Sequence, residues 1–282
     1  MGWCGRVFMT HKQAFGVMER TWPSYFVTSP LSLLGGGVWS WALVGYRAVL
    51  LSIMGATMAL SLLSDARNGC VLGWSLYFTH IMLMLQVLYL TLSLWVTVRW
   101  RGEVGKVRPR SVPFGVRLLW VLQDTQLVGT GFVALVYWAF IDTEVHRLRW
   151  TYAWTTHGLN FGVALLDAVT RHEFAVSTHF VTLGVFAAGY AGFTVCFWLF
   201  GGTNCHGEHW IYEALDYDQP LTWVLVILTI PTVAAVYLVV CWIFDRTDTV
   251  PVLAGPGMAN SPTRFGVGLY GIPGSSLLKA VV

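Results

Sequence analysis

A hydroxyl and an imidazole can act as nucleophile and base when they meet away from bulk water, and this chain carries both inside apolar sequence. Thr79 lies in Leu76-Tyr77-Phe78-Thr79-His80, and His157 lies in Trp154-Thr155-Thr156-His157-Gly158-Leu159-Asn160. An ionisable ring in a membrane-type run finds no water in the lipid, so His157 must face a cavity or a partner helix. Asn160 follows it by three residues, and Gly158 and Gly162 are spaced by four. This spacing lets the two polar groups share one helix face and predicts that the glycines admit a neighbouring backbone. Asn160 would orient His157 or bond an oxyanion.

The elements that position these groups are membrane spans. The chain has 282 residues, 56% hydrophobic and 11% charged, with a mean hydropathy of +0.62. A soluble domain carries about 25% charged residues, so the fold class is an all-α polytopic membrane bundle. The 15 Trp suit the half-wet boundary of a bilayer. Six apolar runs reach the length of about 20 residues that a span needs, near 45–64, 73–98, 114–141, 150–168, 177–200 and 221–244. A weaker run near 25–44 is cut by Pro30 and Gly35-Gly36-Gly37 and reads as interfacial or re-entrant. The expected organisation is a cytosolic or interfacial segment over 1–44, a six-span domain over 45–245 and a Gly/Pro-rich disordered tail over 246–282. No signal-peptide pattern opens the chain, and Arg6 stands where a myristoylation signal at Met1-Gly2 wants Ser or Thr.

Charge sets the expected orientation. The link between spans two and three carries Arg99, Arg101, Lys106, Arg108, Arg110 and Arg117 against Glu103, and should be cytoplasmic. The link between spans five and six has Glu208, Glu213, Asp216 and Asp218 without Lys or Arg, and should lie opposite. Six spans with both termini cytosolic satisfy both. Spans two and four then descend from the same outer face. Thr79 falls about 9 Å below that face and His157 about 10 Å, at 1.5 Å per residue. Equal depth permits a nucleophile–base pair; whether the two face each other depends on helix rotation. Cys70 and Cys205 share the outer side, as a disulfide or as two thiols.

The remaining polar residues have blander expected roles. Arg47 should snorkel to the inner interface. Asp124, flanked by Gln123 and Gln126, should be paired or protonated, with Arg47 its first candidate partner. Asp167 should be a solvated helix end, and Cys196 and Cys241 buried thiols. Cys205-His206-Gly207-Glu208-His209 holds metal-ligand residue types but reads as a polar loop, because no second group of matching spacing exists. Nucleophile elbows, phosphate loops and dinucleotide fingerprints are absent, and no cofactor or metal is expected.

The residues also resemble a family. His157-Gly158-Leu159-Asn160 running on to Leu166-Asp167 looks like the histidine-bearing helix of the rolling-stone proteins. So does Tyr190 through Trp198, then Gly201-Gly202-Thr203-Asn204 and Trp210-Ile211-Tyr212-Glu213-Ala214-Leu215-Asp216-Tyr217. Leu76-Tyr77-Phe78-Thr79 resembles the family's second-span signature, though His80 stands where relatives carry an apolar or amide residue. The resemblance covers roughly residues 45–245. Rolling-stone proteins are similar in turn to the androgen-induced integral-membrane hydrolases of fatty acid esters of hydroxy fatty acids. That similarity implies Thr79 as nucleophile and His157 as base, with Asn160 and His80 supporting, and a lipid ester as substrate. The competing expectation is a non-catalytic membrane protein, either a developmental or fusion factor or an accessory subunit with protein partners. Membrane lipids are partners in both readings, and nucleic acid in neither.

Overall fold

The structure, a computed structural model, describes residues 37–101, 112–138, 154–169 and 177–247. Among them every regular element is helical. α1 (Gly37–Arg67) leads through a short turn into α2 (Val71–Trp74) and α3 (Phe78–Trp100). α4 (Phe114–Val136) follows, then a π-helical turn (Trp154–Gly158) that runs into α5 (Leu159–Val169). α6 (Ser177–Leu199) and α7 (Pro220–Thr247) complete the set, joined by a loop that contains a 3-10 turn (Glu213–Leu215).

Among the described residues five helices are long and apolar enough to cross a membrane: Trp41–Arg67, Phe78–Trp100, Phe114–Val136, Val181–Leu199 and Pro220–Val240. The expected fourth span is represented by the π turn and α5; its first residues lie outside the described ones. So do the opening 36 residues, the basic stretch 102–111 and the tail from 248, with the expectations that fall on them. α1 begins at the last of the three glycines and continues unbroken through the first expected span, so part of the 25–44 run belongs to that helix.

α4 is the hub. It packs against α3, α5, α6 and α7, while α1 packs against α3. Its buried face is long because it has neighbours on every side, whereas α6 and α7 turn most of their apolar surface outward, as lipid-facing helices do. One cluster joins Leu50 and Met54 of α1, Leu83, Leu90 and Val96 of α3, Leu119 and Leu122 of α4 and Val163 of α5. A second joins Leu127 and Val128 of α4, Ala164 of α5, Leu183 of α6 and Val233 of α7. Helices surrounded by lipid gain little from burying more apolar surface, so close packing and polar contacts must specify the neighbours. Gly129 illustrates the packing: a Cβ there would strike the end of the Met82 side chain.

The polar contacts correct three expectations. Arg47 does not snorkel. It is fully buried and donates to the Thr97 hydroxyl and to the Ser93 carbonyl, so α3 holds the guanidinium inside the bundle. Asp167 is not a solvated end. It too is fully buried and accepts the Tyr89 hydroxyl at 2.5 Å, because its face of α5 packs inward. Cys196 is exposed on α6. The glycines after His157 also act differently from expectation. A Cβ at Gly158 would meet the ring of Trp154, and Gly162 has nothing near it, so neither admits a neighbouring backbone.

Candidate functional site

The site is built at the end of the bundle that carries Cys70 and Cys205. The first amides of a helix have no intrahelical partner, and α3 starts there. The Tyr190 hydroxyl, from α6, accepts the Phe78 amide at 3.1 Å and donates to the Leu76 carbonyl at 2.9 Å. Its ring lies 4.8 Å from that of Phe78. One side chain thus ends the preceding loop, caps α3 and fixes the residue beside Thr79.

Thr79 is buried on the first turn of α3. Tyr212, from the α6–α7 loop, stands close to the Thr79 side chain and to Tyr190. Burial pushes the Tyr212 phenol up, so it remains a neutral donor. Tyr77 stands edge-on to Tyr212 at 5.5 Å, and burial first, then the Cys205 thiol, pushes its phenol up to about 12.

His80 faces the other way. Its Nδ1 lies 2.7 Å from the Trp74 carbonyl, which can only accept, so Nδ1 carries the proton and Nε2 is the acceptor of the neutral ring. The Ser61 hydroxyl stands 3.3 Å from Nε2 and accepts the Trp74 indole N–H at 2.8 Å. The Trp74 and His80 rings stack at 4.5 Å. Ser61, Trp74 and His80 therefore close a ring of contacts that seats α2 on α1 and α3.

His157 sits in the π turn, half-buried, stacked on Tyr137 at 3.7 Å with 12° between the planes. Its Nδ1 is buried and has no hydrogen-bond partner. The Tyr89–Asp167 bond registers α3 against α5, which run in the same direction. His157 precedes Asp167 by ten residues, as Thr79 precedes Tyr89 by ten. The two candidates thus fall near one level. They are not hydrogen-bonded to each other: Thr79 stands beside Tyr212, and the His157 ring stacks on Tyr137 with its Nδ1 unpartnered. Asn160 is buried one turn further in, with neither amide atom partnered. Arg47 and Asp124 are both buried, well below this level on α1 and α4.

Residues 38–250 match the family described as Protein rolling stone. The chain belongs to the rolling-stone family. One rolling-stone relative, from Drosophila melanogaster, is 28% identical over 108 residues, which cover 38% of this chain and 39% of that protein. The match therefore spans well under two thirds of the relative's own length. No solved structure matches. Family and helices together make this a multi-pass integral membrane protein of rolling-stone type.

In this rolling-stone chain, sequence reasoning does not single out Ser61, Trp74 or Tyr137, and reaches Tyr190 and Tyr212 only within family motifs. Ser61 does leave a trace. Arg47, Met54 and Ser61 recur every seven residues along α1 and all three are buried, which marks an inward face. The loop Cys205–His209 is organised by Asn204. Its Oδ1 accepts the amides of His206 at 2.8 Å and Glu208 at 3.0 Å, and its Nδ2 donates to the Trp210 carbonyl at 2.9 Å. Among the described residues no group of three or more His, Cys, Asp or Glu side chains converges as metal ligands would.

Proposed function

We propose that this rolling-stone protein is an intramembrane hydrolase of fatty acid esters, with Thr79 as nucleophile and His157 as base. The observation that carries the reading is His157 Nδ1, a buried proton acceptor without a partner at the level of a buried hydroxyl. A catalytic base needs a free lone pair and a fixed plane, and stacking on Tyr137 supplies the plane. In the reaction, His157 takes the Thr79 proton as the Thr79 oxygen attacks the ester carbonyl. Collapse of the tetrahedral species breaks the ester C–O bond, and the leaving alkoxide takes the proton from His157. Water then repeats the sequence on the acyl-threonine, releasing the fatty acid. Tyr212, close to Thr79, is a neutral donor for the oxyanion. Ester chains would enter sideways from the bilayer. The Cys70–Cys205 end is read as the outer one, with both termini cytosolic.

The Arg47–Thr97 and Tyr89–Asp167 bonds between helices favour a second reading, in which the polar residues only lock helix packing and the protein acts through surfaces in a developmental or multi-subunit role. Hydrolysis of a branched fatty ester by purified wild type, Thr79→Ala, His157→Ala and Ser61→Ala separates the two. The hydrolase reading expects loss in the first two variants and retention in Ser61→Ala. Equal rates in all four proteins, or an inactive wild type across many lipid esters, supports the packing role.

A further inference from the structure

α3 carries a stripe of buried polar side chains, Thr79, Gln86 and Ser93, at intervals of seven. Below the Thr79 level the stripe meets two more buried carboxamides. The Met82–Gly129 contact sets the register of the antiparallel pair α3 and α4, and one turn further in on each helix stand Gln86 and Gln126. On α5, Asn160 precedes Asp167 by seven residues, as Met82 precedes Tyr89, so Asn160 belongs to the turn just above. Gln86 and Gln126 are fully buried and Asn160 is 1% exposed. The nitrogen and the oxygen of all three carboxamides lack hydrogen-bond partners.

Such groups are expensive at the depth of a bilayer core, where lipid returns nothing for lost water. A carboxamide that served only helix packing would find a partner on a neighbouring helix, and these three find none. We infer that Gln86, Gln126 and Asn160 form a binding site for the uncharged, hydroxyl- and ester-bearing head of a single-chain lipid, of the monoacylglycerol class. Carboxamides both donate and accept, which matches hydroxyls and an ester carbonyl. They bring no charge to balance a charged head. The inference rests on the hydrolase reading for its ligand class: it places the polar end of the ester beneath Thr79 and His157.

Full-length protein in phosphatidylcholine nanodiscs tests it by thermal shift and native mass spectrometry with 1-oleoylglycerol, using oleate as the anionic control. Expected is a midpoint raised by 1-oleoylglycerol and not by oleate. Gln86→Leu, Gln126→Leu and Asn160→Leu should each weaken that binding at least tenfold, while their ligand-free midpoints hold or rise, because an apolar side chain carries no unsatisfied amide. Gln86→Met and Gln126→Met serve if a leucine variant fails to fold. Thr79→Ala should bind as wild type does, so binding without hydrolysis in the wild type would sink the hydrolase reading and leave this site standing. Undiminished 1-oleoylglycerol binding in the carboxamide variants overturns it. So does a wild type that ignores 1-oleoylglycerol, or that prefers oleate.

Discussion

Tyr190→Phe removes one oxygen and keeps the ring, so it isolates the cap on α3. Two direct hydrogen bonds are lost, to the Leu76 carbonyl at 2.9 Å and from the Phe78 amide at 3.1 Å. Each bond contributes about 1 kcal/mol net, so a loss of about 2 kcal/mol is expected. The Phe78 amide stands in the first turn, where the helix offers it no acceptor, which argues against a smaller value. The equilibrium between folded and unfolded bundle should shift by about 30-fold, since about 1.4 kcal/mol corresponds to a factor of ten. Reversible unfolding of the variant and the wild type in mixed micelles measures it. The variant should also slow any ester cleavage, because Phe78 adjoins Thr79. A loss below about 0.5 kcal/mol would mean that the hydroxyl does not hold the start of α3, and the argument for how Thr79 is positioned would fall with it.

Other outcomes follow from the same structure. Cysteines introduced at Lys106 and at Glu208 should label from opposite sides of the membrane, and labelling of both from one side would refute an outward-facing Cys70–Cys205 end opposite a cytosolic basic loop. The Cys205 thiol donates to the Cys70 carbonyl at 3.6 Å, and partial desolvation and then the Cys70 thiol push it up to about 11. Exchange with glutathione disulfide should oxidise this pair to a disulfide with release of two glutathione thiols; peptide mapping without reductant that finds both thiols unlinked would contradict this. Arg47 and Asp124 are expected to share their charge within the bundle, so Asp124→Asn should destabilise the Arg47 protein more than an Arg47→Met background. Additive losses in that double-mutant cycle would rule the pairing out.

Depth was legible in the sequence; rotation was not. Counting residues from loop charges puts Thr79 and His157 at one level, because each helical residue advances a fixed distance and loops reveal where counting starts. What each side chain faces depends on packing between helices that share almost no sequence signal. Asp167 shows the cost. It sits two residues from the end of α5 and looks like a wet terminus, yet its partner is Tyr89, a residue of a different span. Arg47 misleads for the same reason, since snorkelling is the common fate of an arginine near a helix end and only α3's Ser93 and Thr97 could change it. His80 looks in the sequence like an intrusion next to Thr79; its role becomes visible only when α2 folds Trp74 back over it.

The π turn that presents His157 makes the site depend on the number of residues as well as on their kinds. A π turn is an α-helix that has accommodated one extra residue, and each residue turns the helix by about 100°. Removing a single residue between Trp154 and Thr156 would let the segment relax into regular α-helix. His157 would then swing about a quarter of the way around its axis, away from Tyr137, while its chemistry stayed intact. A lineage could therefore switch this position off with one codon deletion and keep the histidine. When members of the family are compared, the length of this turn is as informative as the presence of the histidine.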